Sequence, residues 1–220
     1  MSGIAFICTV AVALVIGNGA SGWASSNLRP KDTHVATGQT LQWNFDKEKP
    51  GEIYFGVKAF SGKWLIRKEA GAPTPPNVLC QTATADYPAL VLGDKVLDDL
   101  TVSVLFKPVS GREDQAAGII FRVRDKDNFY ILRANALEDN VNLYKYVKGR
   151  RELIKEGAAK VSSGRWQELR VEAVGNVIRG YLDGAVVVEA TDETFRSGRI
   201  GLWTKADSVT CFDNVKATER

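Results

Sequence analysis

The adjacent acids Glu138 and Asp139, followed by Asn140, sit among the densest reactive side chains of this 220-residue sequence. Arg122, Arg124, Arg133 and Asn135 precede them, and Asn142, Tyr144 and Tyr146 follow. Neighbouring acids in a loop need not point opposite ways, so this pair can flank a hydroxyl as catalytic acid and base. It can equally form an acidic turn that pairs with Arg122 or Arg133. Catalysis further requires one carboxyl with a raised pKa. The single histidine, His34, lies in a small, polar stretch, which leaves no Ser-His-Asp set, Cys-His pair or zinc constellation. No glycine loop opens a helix to cradle phosphate. Most metal-hydrolase, serine-hydrolase and nucleotide-dependent chemistry is thereby excluded, and carboxylate chemistry on sugars, or binding alone, remains.

These side chains need a frame, and the pattern supplies strands. Short β-branched and aromatic runs occur at 41–45, 64–68, 78–82, 100–108, 117–124, 129–134, 142–147, 167–174, 177–182, 186–190, 199–204 and 209–218. Turn residues separate them: Asp125-Lys126-Asp127-Asn128, Lys148-Gly149-Arg150, Gly175-Asn176 and Asp183-Gly184. No helical periodicity competes, and residues 94–99 carry a helical turn at most. Many short strands without intervening helices predict an antiparallel sandwich or barrel, in one domain from about residue 40 to the end. Alternation sends Ile119, Phe121 and Val123 to one side and Arg122 and Arg124 to the other. In the next two runs Tyr130, Leu132, Ala134 and Leu143 oppose Arg133, Asn135, Asn142, Tyr144 and Tyr146. If these runs are consecutive neighbours, their outward sides form one polar, cationic and aromatic surface. Trp203, with Lys205 on the same side, is a further aromatic candidate. Such faces suit sugars, whose C–H faces stack on rings while amides and charges bond the hydroxyls.

Composition sets the class. The chain is 45% hydrophobic and 25% charged, with a net charge of +3 spread along its length. It is globular, and nucleic acid is not implied. An apolar run at 4–17, followed by small residues, predicts a signal peptide over 1–24 and a flexible lead-in at 25–39. Roughly 20 apolar residues are needed to span a bilayer, and this run is shorter. An uncleaved anchor is the alternative, since no basic residue precedes the run. The expectation is therefore an exported protein, periplasmic or secreted, free of the membrane after cleavage. Of its cysteines, Cys80 and Cys211 remain beyond the signal. They either pair, which requires neighbouring strands, or persist as buried thiols. No coiled-coil repeat is present, so an oligomer would form through a sheet face or edge.

Several stretches resemble a bacterial family of exported concanavalin A-like proteins, related to laminin G-like and 3-keto-disaccharide hydrolase domains. They are the segment from Phe121 to Asp125, Asn128-Phe-Tyr130, the segment from Arg133 to Lys145, the segment from Trp166 to Val171, the segment from Tyr181 to Gly184, and the segment from Gly201 to Thr210 ending in Phe212-Asp213. The resemblance implies an all-β, two-sheet antiparallel jelly-roll sandwich. It also implies relatives that bind sugars, cleave glucans or act on 3-keto glycosides. Glucanases of this fold carry Glu-x-Asp-x-Glu on a strand. The nearest match here, Glu168 to Glu172, has Arg170 in the middle, and residues four apart on a strand stand roughly 13 Å apart, against the roughly 5 Å a retaining pair needs. An exposed strand of alternating charge explains it better.

Jelly rolls resembling this one often hold a structural calcium where the first and last strands meet, and Asp46, Asp213 and Asn214 are the oxygen ligands available. Capping and turn roles are the alternative for these residues, and nothing requires a cofactor. The leading expectation is an exported carbohydrate-binding module using Arg122, Arg124, Arg133, Asn135, Asn142, Tyr144, Tyr146, Trp203 and Lys205, with Glu138 nearby. The positive face favours an acidic or oxidised sugar. Its rivals are a glycoside-cleaving enzyme with Glu138 or Asp139 as acid/base, and a protein-interaction module.

Overall fold

The structure, a computed structural model, describes residues 38–51 and 56–220. The expected signal peptide, His34 and the lead-in up to residue 37 lie outside the described residues. Five strands come first: β1 (Thr40–Trp43), β2 (Val57–Ser61), β3 (Trp64–Lys68), β4 (Asn77–Gln81) and β5 (Ala89–Leu97). Then come β6 (Leu100–Ser110), β7 (Ala116–Asp125), β8 (Asn128–Asn135), β9 (Asn140–Val147) and β10 (Arg150–Lys155). The last five are β11 (Gln167–Val174), β12 (Val177–Leu182), β13 (Ala185–Thr191), β14 (Gly198–Trp203) and β15 (Val209–Glu219).

They form two antiparallel sheets. The eight-stranded sheet runs β13-β12-β11-β6-β15-β4-β3, with β1 also on β15, and the seven-stranded sheet runs β10-β9-β8-β7-β14-β5-β2. The expected two-sheet jelly roll is the observed fold. All twelve expected runs fall on strands; β2, β5 and β10 are additional. β5 escapes the pattern because Gly93-Asp94-Lys95 interrupts its apolar run, yet the strand continues through Leu97 with Gly93 at φ 65°. The hairpin turns at Gly175-Asn176 and Asp183-Gly184 close β11 on β12 and β12 on β13.

Between the sheets lies a core drawn from both, with Val102, Val104, Phe106, Leu169 and Val171 facing Ile119, Phe121, Tyr130, Leu132 and Leu143. Each such side chain contributes roughly 1.5–3 kcal/mol by leaving water. β6 and β11 show the alternation of strands with one wet face. β8 and β9 do not: β8 is buried from Phe129 to Asn135 and β9 from Val141 to Tyr144. A strand buried on both sides needs a second apolar layer. Here that layer is Ala89, Val91, Ile120, Val123, Ile131, Tyr144 and Trp203, on the outer face of the seven-stranded sheet, with Phe60, Tyr87 and Tyr146 packed on it.

Cys80 and Cys211 are register partners on β4 and β15, with Cα atoms 4.0 Å apart, and they form a disulfide. Of the two readings the sequence left open, pairing is the one observed. Glu168, Arg170 and Glu172 lie on β11, where Arg170 bonds Glu172 and lies 3.7 Å from the centroid of Tyr181, whose hydroxyl donates to Glu172. This is the charged strand surface expected. Among the described residues no helix is long and apolar enough to cross a membrane.

Candidate functional site

The outer face of the seven-stranded sheet collects most, but not all, of the anticipated residues. Cross-strand register sets Trp203 (β14) beside Gly118 (β7), Gly118 beside Arg133 (β8), and Arg133 beside Asn142 (β9). Gly118 eases the packing of that row: a Cβ there would lie 3.2 Å from Trp203 Cε3, a contact the indole could meet only by shifting a few tenths of an ångström. The next pairs along β8 and β9 are Ile131 with Tyr144 and Phe129 with Tyr146.

Arg133 is 2% exposed, and its Nη2 donates to Glu138 Oε2 at 2.5 Å and to Asn140 Oδ1 at 2.8 Å. Its guanidinium carbon lies 5.5 Å from the Tyr144 ring centroid, and its Nε is buried with no partner among the described residues. Burial pushes the Glu138 carboxyl upward, but hydrogen bonds from Asn140 and Arg133 outweigh it and hold Glu138 below the usual range. Asp139 turns away at φ 49°, a conformation aspartate tolerates. Its carboxylate accepts from Lys160 Nζ and Val161 N, which hold it below its ordinary value. The two acids therefore do not act on one point.

Two residues at the centre of the face were not anticipated. Arg151, on β10, places its guanidinium 4.8 Å from the Tyr144 centroid and 5.2 Å from that of Tyr87. Its Nη1 is buried without a partner among the described residues. Tyr87 rides on the connection between β4 and β5, which is pinned through Ala85 N to Ala206 O and Thr204 N to Pro88 O. Buried Gln81 braces that connection, accepting from Ala83 N and donating to Ser208 O. Tyr87 stacks on Trp203 at 5.9 Å and meets Tyr146 edge-on at 5.8 Å. Trp203 is wholly buried beneath it, so it is a floor rather than the open platform expected, and its Nε1 has no acceptor among the described residues. A tyrosine between Asp86 and Pro88 in a connection gives no periodic signal, and Arg151 follows a turn in a run too polar to read as a strand.

Asn135 and Asn142 lie on the face but are consumed structurally. Asn135 Oδ1 accepts from Gln115 N and Leu137 N while its Nδ2 donates to Asp114; Asn142 donates to the Tyr144 hydroxyl and accepts from Gly157 N. Lys205 lies just past the end of β14 and pairs with buried Asp114 at 2.7 Å. Tyr146 is half-buried, stacked on Phe129.

Arg122 and Arg124 must be corrected. The β7–β8 register shifts between Phe121 and Asp125, and Arg122 sits in that bulge at φ 49°. A bulge adds one residue and reverses the alternation after it. Val123 consequently joins the outer layer, while Arg122 is fully buried and donates to the carbonyls of Asp98 and Phe195. Arg124 follows it over the Phe195 ring, 5.7 Å from its centroid. Neither belongs to the face of Arg133.

The three residues considered for calcium gather by the 72–76 loop. Asp213 is wholly buried; Thr74 N and Asn214 N donate to it, and the single Thr74 hydroxyl proton is shared between Asp213 Oδ2 at 3.0 Å and Asn214 Oδ1 at 2.8 Å. Burial nevertheless raises the Asp213 carboxyl, and the charge of Asp46 adds to this. Asn77 donates to the carbonyls of Asp46 and Glu48, but its own Oδ1 is buried and has no donor among the described residues. Two neighbouring carboxylates and an orphaned amide oxygen fit a hard cation. They are fewer oxygens than the roughly six to eight calcium takes, and among the described residues no group of three or more His, Cys, Asp or Glu could hold a metal.

A family model described as 3-keto-alpha-glucoside-1,2-lyase-like domain matches residues 17–218. Levanase of Bacillus subtilis (strain 168) is 28% identical over 134 residues, which is 60% of this chain and 19% of that protein. The chain thus spans about a fifth of the length of this curated relative. The carbohydrate binding module CBM66 from Bacillus subtilis superposes with a TM-score of 0.64 at 22% identity, covering 74% of this chain and 96% of the module. A Bacillus licheniformis beta-glucanase gives a TM-score of 0.54 at 13% identity, over 84% of this chain and all of that one (100%). At these identities the two solved structures establish likeness of fold.

Proposed function

Because the chain belongs to the family of 3-keto-alpha-glucoside-1,2-lyase-like domains, we propose that it is a carbohydrate-binding module whose ligand sits on the outer face of the seven-stranded sheet. The observation that carries this is a pair of buried donors without acceptors among the described residues, Arg133 Nε and Arg151 Nη1, gathered around Tyr144. An unpaired buried donor costs roughly 1–3 kcal/mol, which a ligand oxygen recovers. The rings offer the stacking surface a sugar needs. A fold likeness to a carbohydrate binding module and a partial match to a levanase point the same way.

This face presents donors, and among the described residues Arg151 has no carboxylate partner, so the ligand we assign carries an acidic or oxidised ring. A carboxylate or keto oxygen would be received by the guanidinium groups. The cleaving alternative needs Glu138 or Asp139 to hold a proton, and both are kept ionised by their partners. That favours binding over acid catalysis. An oxidising location outside the cytoplasm is supported by the Cys80–Cys211 disulfide. A structural calcium at Asp46 and Asp213, with Asn77 rather than Asn214 as the amide ligand, is supported by the orphaned Asn77 Oδ1.

Calorimetry of the protein against neutral, uronic and 3-keto saccharides, with products followed by mass spectrometry, tests the reading. Arg133→Ala and Arg151→Ala should each weaken binding by tenfold or more with the folded spectrum retained. Wild-type binding in both variants would place the ligand elsewhere. New product masses would make the protein an enzyme, and silence across the panel would favour a protein-interaction role.

A further inference from the structure

Tyr87 lies in the connection of residues 82–88, which leaves β4 in the eight-stranded sheet and enters β5 in the seven-stranded one. The connection therefore crosses an end of the sandwich, and its one β-bridge is Ala85 with Ala206. A loop that has to be ordered on binding weakens affinity by the cost of ordering it.

Gln81, the last residue of β4, is wholly buried. Its backbone is paired on both sides, with Trp64 of β3 and Thr210 of β15, and it follows the disulfide-linked Cys80. From that fixed base its amide reaches three connections. Oε1 accepts from Ala83 N at 2.6 Å and from Lys63 N at 3.3 Å; Nε2 donates to Ala83 O at 2.8 Å and to Ser208 O at 2.9 Å. Lys63 lies in the β2–β3 turn and Ser208 between β14 and β15. These same two connections meet the far end of the loop: Thr204 N donates to Pro88 O, and a Cβ on Gly62 would lie 2.6 Å from Pro88 Cβ. Gln81 thus ties the start of the loop to the two connections that hold its end, with Tyr87 between them.

Two acceptances and two donations at one buried point require an amide. A glutamate carboxylate only accepts, and an apolar side chain of the same length does neither. Being wholly buried, Gln81 offers no surface to a ligand, so its effect on binding passes through the loop.

We infer that Gln81 is a positioning residue of the saccharide site, holding Tyr87 over Trp203 before a ligand arrives. This rests on the binding function proposed above and adds to it: the Tyr87 side of the face is preformed rather than closed by the ligand.

Hydrogen exchange and calorimetry test this. In unliganded wild type the amides of Ala83 and Ala85 should be protected; exchange at the rate of a free chain overturns the inference and needs no variant. Gln81→Met should speed exchange across 82–88 and leave β7, β8 and β9 unchanged. It should bind glucuronic and galacturonic acid about fivefold more weakly, as when the competent arrangement falls to about a fifth of the population. In a Tyr87→Ala background the same substitution should have no further effect, because the loop then carries nothing to position. Wild-type affinity in Gln81→Met, or an additive loss in the double variant, overturns the positioning role and leaves the site at Arg133 and Arg151 standing. No binding by wild type of either acid, or of the neutral and 3-keto saccharides, overturns the site and the role together.

Discussion

The indole of Trp203 lies beneath the phenol of Tyr87, ring centroids 5.9 Å apart and planes inclined by 20°. One ring is the foundation of the face, and in the binding function proposed above the other is its working surface. Tyr87→Ala should therefore lower saccharide affinity severalfold with a small effect on stability. Trp203→Ala should cost about 3–5 kcal/mol by emptying a fully buried site. Paired calorimetry and denaturant titration separate the two; equal destabilisation by both would make Tyr87 a packing residue.

Arg122 offers a control from the same strand as the site. Its guanidinium is fully buried and donates to the carbonyls of Asp98 and Phe195. Removing it strands those acceptors, so Arg122→Ala should lose on the order of 2–4 kcal/mol of stability. Saccharide binding by the folded fraction should be unchanged. A selective loss of binding would return Arg122 to the site.

Tyr130 predicts an alkaline limit. Burial, reinforced by the hydrogen bond to Asp192, pushes its phenol from 10.0 to about 12. Between those values the unfolded chain has released a proton that the folded chain keeps, so stability is full below pH 10 and falls as pH approaches 12. The loss is on the order of 2–3 kcal/mol. Denaturant titrations at pH 9 and 11.5 measure it, and Tyr130→Phe should flatten the difference. A wild-type slope that persists in the variant would assign it to another group.

Calcium should raise the melting temperature of the EDTA-treated protein by several degrees if Asp46, Asp213 and Asn77 share an ion. Binding stabilises only the folded state, by about 2.7 kcal/mol at a hundredfold excess over Kd. Asp46→Asn and Asn77→Ala should remove the response, whereas Asn214→Ala should keep it. An unshifted wild-type melt would leave Asp213 as the anchor of the 72–76 loop alone.

The legibility of this molecule follows the range of the interactions that build it. β6, β7, β8, β9 and β11 declare themselves because a strand repeats every two residues and the core selects one phase. Arg122 was misplaced for the same reason. A bulge shifts that phase, and here the αL position is held by an arginine, so no glycine announces it. The Arg133–Glu138 pair was foreseeable, since both flank one short connection. Its surroundings were not: Asp114, Tyr87 and Arg151 come from separate connections and strands, and Trp203 looks like an exposed platform until Tyr87 is laid on it.

By itself the sequence determined an all-β chain of hairpins, the inward and outward phase of its regular strands, and a surplus of cations and aromatic rings around residues 133–146. Local pattern suffices for these, because adjacent residues and neighbouring hairpins produce them. Only the tertiary structure decided that Cys80 meets Cys211, that Arg122 turns inward, and that Tyr87 and Arg151 close over Tyr144 and Trp203. Each depends on strand order and on one bulge, which bring together residues as much as 131 positions apart. No periodicity in a chain encodes which distant strands become neighbours; that is chosen by the packing of two whole sheets.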